Sequence, residues 1–486
     1  MTNMTSNAQS YPDTELFIDG SWRAGAGGRR GEVVNPATEE VIGGFAMAEE
    51  SDLKEATEAT ARSFPGWRDT SPVERAAVLR RAAGLLRERA DEIAANMTAE
   101  QGKPLGNARG EVMGAADMLE WTAEEARRTY GMVIPARSPD VVQAVHYEPI
   151  GPVAAFAPWN FPLNIAGRKI ACALAAGCSV VMKAAEDTPA SPAAFVRAVA
   201  DAGLPAGVLN LVFGEPAAIS DYLIAHPAIR KISFTGSSQV GKLLAEKAGR
   251  EMKSITMELG GHAPVLVFAD CDVAATARIL GNSKYKNSGQ GCGSPSRILV
   301  EESVFDTFVA AFVEAAGKVR VGNGADPDVD MGPLISARRH DTIAALVEDA
   351  VAKGAKLALG GKTPEGKGFF FPPTVLTHVP AEARLMNEEP FGPVAQIVPF
   401  KSYDEAIKEA NRLPYGLASY VYSQSVRTTA AAVRDLEAGM VSVNHQGLAP
   451  PEVPFAGIKD SGMGAESGPM ALMGFMVPKF VTQARG

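Results

Sequence analysis

Only four of the 486 residues are cysteine: Cys172, Cys178, Cys271 and Cys292. Their spacing forms neither a CxxC metal pair nor a disulfide framework, so the expectation is free thiols in a reducing cytoplasm and no metal site. Long apolar runs are also missing. No stretch reaches the roughly 18–20 apolar residues that span a bilayer. The N-terminal "MTNMTSNAQSYPDTELF" lacks the basic head and apolar segment of a signal peptide. No Lys/Arg block stands out, and 47 basic against 56 acidic residues leave a net charge of −9. This argues against nucleic acid and a membrane as partners, although one or two local cations can still hold an anionic small molecule. Histidine is scarce as well: His146, His226, His262, His340, His378 and His445 are all there are, none in a recognisable nucleophile-pair context. There is no internal repeat and no low-complexity tract, and the first ten residues read as disordered.

What remains is ordinary globular material. Hydrophobic residues make up 46% and charged residues 21%. The length suits two or three domains. "SPVERAAVLRRAAGLLRERADEIAANMTAEQGK" reads as one surface helix, with Ser71 as cap, Pro72 in the first turn and Gly102 as the stop. From 150 to 257, "VAAFAP", "SVVMK", "VLNLVF" and "KISFT" are short apolar strands separated by Ala- and Leu-rich helical stretches. Strands of this kind alternating with helices predict a parallel sheet covered on both faces. A second series starts near "HAPVLVFAD" and runs to "MVSVN", about 258–440. Two β-rich pieces, 129–150 and the tail "MGFMVPKFVTQ", fall outside both series. They either pair with each other, or onto a neighbouring subunit, or form a surface hairpin and a loose tail.

Several short stretches could carry chemistry, each with a plainer reading beside it. "ISFTGSSQVG" ends a strand at Thr235, turns at Gly236 and starts a helix near Ser238, where backbone N–H groups would face a phosphate. A strand–turn–helix junction needs a glycine in any case. The glycine-rich "GAGGRRG" has no strand–helix context and reads as a loop. Lys183 and Glu186 directly follow a strand, where a carboxylate can accept ribose hydroxyls; a solvated loop start is the duller alternative. In "FAPWNFPL" two prolines stiffen the loop around Asn160, whose amide could donate to an oxyanion or merely cap a helix. Glu258 precedes paired glycines, as a general base or as an ordinary acid. Cys292 sits in "NSGQGCGSPSR", where glycines at 289, 291 and 293 let substrate and backbone approach. A lone cysteine is more often a small buried hydrophobe. Bare neighbours favour a nucleophile whose own N–H donates to the oxyanion.

Taken together and in this order, "PWNFPL", "MKAAEDTP", "FTGSSQVG", "MELGGHAP", "NSGQGCGSPSR", "EEPFGPV", "YGLASYVYS" and "PFAGIKDSG" resemble the aldehyde dehydrogenase superfamily over residues 18–482. The resemblance implies an α/β fold with a Rossmann-type cofactor domain (1–128 and 149–257), an α/β catalytic domain (258–440) and a small β oligomerisation domain (129–148 and 465–486). Residues 441–464 would return to the cofactor domain. It implies Cys292 as the nucleophile forming a thiohemiacetal and then a thioester, Asn160 as oxyanion donor and Glu258 as the base that activates water. Coenzyme A-acylating relatives need no such base, so Glu258 favours release of a free acid. Trp159, Lys183, Glu186, Gly236, Ser237, Glu389 and Phe391 would surround the cofactor. A homodimer or homotetramer is implied.

Glu186 stands where a 2′-phosphate would come close, which favours NAD while leaving NADP possible. "NFPLNIAGRKIACALAAGC" is similar to the succinate-semialdehyde dehydrogenase branch. That similarity assigns Arg168 to a substrate carboxylate. It matches Lys286 to a second arginine of the branch, keeping the charge but losing the fork. The branch's serine is absent, with Ala449 and Pro450 nearby, and Tyr285 and Trp159 suit an alkyl or aromatic chain. The expected substrate is a semialdehyde such as succinate semialdehyde. The rivals are a broad aliphatic or aromatic aldehyde dehydrogenase, a cysteine esterase that would turn over without NAD, and a non-catalytic protein on the same scaffold. Ala456 and Ala465 depart from the family's glycine and arginine, predicting small packing changes near the substrate and the subunit contact.

Overall fold

The computed structural model describes residues 11–485, so the expectation for the first ten residues lies outside the described residues. Two large sheets organise the chain. The first contains five parallel strands, in spatial order Leu209–Val212, Val180–Lys183, Val153–Phe156, Lys231–Thr235 and Ser254–Glu258. Every residue of the first four is buried. Removing each such Val, Ile, Leu or Phe from water contributes roughly 1.5–3 kcal/mol, which the helices covering both faces secure. Leu16–Ile18 and Ser21–Arg23 extend one edge antiparallel, and Gly462–Met463 closes the other. The strand earliest in the parallel series, Val153–Phe156, lies between the second and the fourth. The connections therefore reverse direction there, and a crevice opens beyond the strand ends.

The second sheet runs Lys356–Leu359, Thr374–Thr377, Val394–Phe400, Arg297–Glu301, Pro264–Val267, Ala418–Tyr422, Met440–Val443, parallel except for its first pair. Only five residues, 259–263, separate Glu258 at the end of one sheet from the strand starting at Pro264 in the other. A third sheet pairs Met476–Ala484 along the whole of Val141–Pro149, with Met132–Ile134 on its far edge. The two detached β-rich pieces thus pair with each other. Residues 465–475 do not join them: the helix Gly468–Met473 buries Ala471 and Leu472 in the first core, and the sheet begins at Met476.

The single helix predicted over 71–102 is two. Ser71 and Glu74 form a reciprocal cap on Pro72–Glu88, and Gly102 ends Ala90–Gln101 in the left-handed region (φ 90°). Arg89 leaves the helical region between them (φ −99°, ψ 11°), and its side chain pairs with Asp201. Neither half lies simply on the surface, because Leu79, Ala82, Leu86, Ile93 and Met97 are core residues. The helix Pro162–Ala176 is buried on nearly every side, which its run of alanines permits. Among the described residues no helix is long and apolar enough to cross a membrane.

Candidate active site

The carboxyl ends of four parallel strands deliver most of the sequence-derived site residues. Trp159 and Asn160 follow Val153–Phe156, and Lys183 and Glu186 follow Val180 onward. Gly236 and Ser237 follow Lys231–Thr235, and Glu258 ends Ser254–Glu258. Cys292 approaches from the other sheet, on the loop between the helix Val273–Lys284 and the strand Arg297–Glu301.

That loop is held by backbone strain and by distant partners. Asn287, Ser288 and Gly289 take left-handed conformations in succession (φ 51°, 56° and 69°). Non-glycine residues there cost of order 1–3 kcal/mol each unless their surroundings enforce them. The surroundings do. Asn287 Nδ2 donates to the Asn160 carbonyl at 3.0 Å, and Ser288 Oγ donates to the Gly332 carbonyl at 2.8 Å. Gln290 Oε1 accepts from Ile335 N at 3.0 Å. The three glycines around Cys292 are not equivalent. A Cβ on Gly289 would lie 2.1 Å from the Gly392 carbonyl oxygen, whereas one on Gly291 or Gly293 would meet nothing closer than 3.7 Å. Only the latter two provide clearance beside the thiol. Gly261 passes so close that a Cβ would lie 2.7 Å from the Cys292 carbonyl oxygen.

A cavity of about 540 Å³ opens beside Cys292, lined among others by Phe161, Arg168, Glu258, Lys286, Phe455 and Glu466. No histidine lines it. His262 is buried elsewhere, between Ser296 Oγ (2.7 Å) and the Leu385 carbonyl (3.0 Å), and burial keeps its ring neutral. A Cys–His pair is thereby absent from this cavity. Asn160 is buried, and its Nδ2 donates to the Gln290 carbonyl at 3.0 Å. The amide carries a second hydrogen for a ligand. Lys103, buried and paired with Glu111, donates to the Asn160 carbonyl at 2.9 Å. Glu111 in turn accepts Leu163 N and Asn164 N, both at 3.1 Å, capping the helix that carries Arg168. Arg168 lies in mid-helix, with Nε on Asn164 Oδ1 at 3.0 Å and its guanidinium 5.0 Å from the Phe455 ring centre. Lys286 is exposed at the rim. Tyr285 does not face the cavity: it is fully buried against Phe312 in the second core, so the expectation that it touches substrate is corrected. Trp159 is also absent from the cavity lining and meets Phe391 edge-on at 5.6 Å.

The electrostatics couple thiol and carboxyl. Burial holds the Glu258 proton well above the usual carboxylate range, and the Glu466 charge adds to this. Burial, then Glu258 and Glu389, push the Cys292 thiol far up. Both protons are thus held more tightly than on free side chains. Glu466 is tied to buried Lys169 and accepts Thr235 Oγ1 at 2.6 Å. Sequence reasoning missed Glu466, Lys169, Lys103 and Glu111. One signal existed: Lys169 falls on the apolar face of an otherwise buried helix.

The remaining residues do not line the cavity beside Cys292. Glu389 Oε1 accepts Gly261 N at 3.0 Å, and burial raises its carboxyl to about 7. Glu186 is fixed by Lys183 Nζ at 2.8 Å and by Gly214 N at 3.2 Å. Ser237 caps the helix Ser238–Arg250, on which Val240 and Leu243 remain exposed.

Residues 22–481 match the model of the Aldehyde dehydrogenase family. A putative 4-(hydroxymethyl)benzenesulfonate dehydrogenase of Comamonas testosteroni is 47% identical over 97% of this chain and 98% of its own. A glutarate-semialdehyde dehydrogenase of Pseudomonas putida is 41% identical over 96% of this chain and 97% of its own. The structure of betaine aldehyde dehydrogenase from Staphylococcus aureus in complex with NAD+ superposes with a TM-score of 0.94 at 33% identity, covering 97% of this chain and 94% of that one. The family model and these relatives span nearly the whole of the chain, which belongs to the aldehyde dehydrogenase family.

Proposed function

We propose that the chain oxidises an aldehyde bearing a remote anionic group to the carboxylic acid, with NAD as the acceptor. The observation that carries this is one cavity holding Cys292 and Glu258 together with the cations Arg168 and Lys286. Aldehyde, NAD+ and water give acid, NADH and a proton. Cys292 Sγ attacks the carbonyl carbon while Glu258 takes the thiol proton. The Asn160 amide and the Cys292 N–H hold the oxyanion. The bound dinucleotide supplies a hydride acceptor, which leaves the acyl group on sulfur. Glu258 releases that proton to solvent, accepts one from water as it attacks the thioester, and returns it to the departing sulfur, so the acid leaves with the thiol restored.

The residues fit a dinucleotide. The crevice at the strand reversal, the capped helix at Ser237, and the exposed Val240 and Leu243 support a phosphate and an apolar ring beside one another. Lys183 and Glu186 would hold the adenosine ribose. Glu389, Phe391 and Trp159 would hold the nicotinamide half, and Gly236, where the Phe234 ring leaves no space for a Cβ, would turn the chain into the helix that faces the phosphates. Glu186 is anchored by two contacts, which sets its charge against a 2′-phosphate and favours NAD over NADP.

For the aldehyde, a semialdehyde with a remote carboxylate remains the lead. The rings of Phe161, Tyr420 and Phe455 along a cavity of this size favour a second reading, an aromatic aldehyde with a remote anion. The Comamonas testosteroni relative is named for an aromatic sulfonate, which agrees with it. Arg168→Leu is expected to lower kcat/KM for succinate semialdehyde, glutarate semialdehyde and 4-formylbenzenesulfonate by roughly 10–100-fold, the worth of a charge-assisted contact. Benzaldehyde and hexanal should lose much less, a residue of Arg168's pull on the Cys292 and Glu258 protons. Equal losses across all five aldehydes would remove the anion-binding role.

Because both protons are held up, turnover is expected to rise with pH through and above neutrality rather than level off in the carboxylate range. Glu466→Gln deletes a neighbouring negative charge, so Glu258 ionises more easily. The acidic limb of kcat/KM should then move to lower pH by about one unit. An unmoved limb contradicts the coupling.

The same reading divides the chain into a cofactor part, a catalytic part from 258, and a small sheet for assembly. Tyr130, Val133 and Phe480 are exposed around that sheet, which supports a homodimer or homotetramer. Buried free thiols at Cys172 and Cys178 support a cytoplasmic setting.

A further inference from the structure

The turn that carries Glu389 and Phe391 is held in an unfavourable shape. Phe391 is an aromatic residue in the left-handed region (φ 47°), with no strand or helix of its own to keep it there. The helix Ala337–Ala352 supplies the restraint through two residues one helical turn apart. Arg339 Nη2 donates to the Pro390 carbonyl at 2.6 Å and to the Phe391 carbonyl at 3.1 Å, and its guanidinium lies 5.7 Å from the Phe391 ring centre. Ile343 presses on the next residue, since a Cβ on Gly392 would lie 2.4 Å from Ile343 Cδ1. From the other side the turn abuts the catalytic loop at Gly289. Arg339 Nε is buried and bonds nothing among the described residues.

We propose that Arg339 is a positioning residue for the nicotinamide half of the dinucleotide. It locks the 389–392 turn so that the Glu389 carboxylate and the crossed rings of Phe391 and Trp159 meet the cofactor in one geometry. This rests on the assignment of Glu389 and Phe391 to the cofactor made above. The guanidinium fork serves two adjacent carbonyls and a ring face at once, and lysine can reproduce only part of that. Arg339 touches neither Cys292 nor Glu258, so acyl chemistry at the thiol should depend on it far less than dinucleotide binding does.

The test compares wild type, Arg339→Lys and Arg339→Met in three assays: NADH binding by fluorescence titration, the single-turnover rate of NADH formation from a saturating aldehyde, and hydrolysis of 4-nitrophenyl acetate without dinucleotide. Ester hydrolysis needs Cys292 attack with loss of nitrophenolate, then water attack on the thioester, and no hydride acceptor. Arg339→Met is expected to weaken NADH binding and slow NADH formation by 10-fold or more, with a several-fold smaller change in ester hydrolysis. Arg339→Lys should recover part of the loss. Unchanged binding and NADH formation overturn the proposal, and so does a parallel fall in all three assays, which marks a general structural role. If Arg339→Met does not fold, Arg339→Lys decides alone on the same split. A wild-type enzyme that forms no NADH from any aldehyde contradicts the proposed function itself, a result visible before any Arg339 variant is made.

Discussion

Replacing Cys292 with alanine is expected to abolish aldehyde oxidation, by roughly 10⁴-fold or more, with every aldehyde tested. The size of the effect follows from the absence of a substitute. Cys172 and Cys178 are buried, and burial pushes their thiols up to about 12 and about 11. Cys271 lies outside the cavity that holds Glu258. Ser294, two residues on, lies within 3.4 Å of the Lys284 ammonium, but a hydroxyl is a far weaker nucleophile than a thiol and lacks an adjacent histidine. The loop itself should survive, because its restraints come from Asn287, Ser288 and Gln290 rather than from the thiol. The melting temperature of Cys292→Ala is therefore expected to stay within a few degrees of wild type. Substantial oxidation by this folded variant would remove Cys292 from the mechanism.

Replacing Glu258 with glutamine separates the two halves of the cycle. The amide keeps the volume of the buried side chain but cannot accept a proton, so hydrolysis of the thioester should slow by roughly 10²–10⁴-fold, the usual worth of a positioned general base. Hydride transfer does not need a second proton acceptor once the adduct has formed. NADH should thus appear as a burst of close to one equivalent per active site, followed by a nearly flat line. A slower burst of full amplitude is also expected, because Glu258 takes the thiol proton in the opening step. A variant that turns over steadily at the wild-type rate removes Glu258 as the base.

The sequence carried the architecture where the signal was local. Short, mostly apolar strands separated by helices predict a covered parallel sheet, and the strands at 153, 180, 209 and 231 form one. The strand–turn–helix at Gly236 and Ser237 was equally local. What stayed hidden depends on distant partners. Glu466 meets Lys169 across 297 residues of chain, and nothing near either residue points to the other. The left-handed run at 287–289 is imposed by Asn160, Gly332 and Pro333, so its glycine-rich sequence suggested open space where part of it is a tight junction. The resemblance to the semialdehyde branch puts Tyr285 beside an alkyl or aromatic substrate chain. The helical twist before it instead turns the ring into the second core. Lys286, the next residue, points outward to the rim, so the charge near the site is divided between an anchored Arg168 and a mobile-length lysine at the surface. Ala465 is buried beside Glu466, at the edge of the Glu466–Lys169–Thr235 cluster.

The central claim is that the acyl group rests on Cys292 until Glu258 releases it. The most direct measurement is the intact mass of the Glu258→Gln enzyme after mixing with NAD and a preferred aldehyde, followed by peptide mapping of the adduct. The account predicts a mass increase equal to one acyl group, located on the peptide containing Cys292 and lost on treatment with hydroxylamine, in step with the one-equivalent burst of NADH. A burst of NADH with no acyl group on that peptide, or an acyl group carried by any other residue, would contradict it.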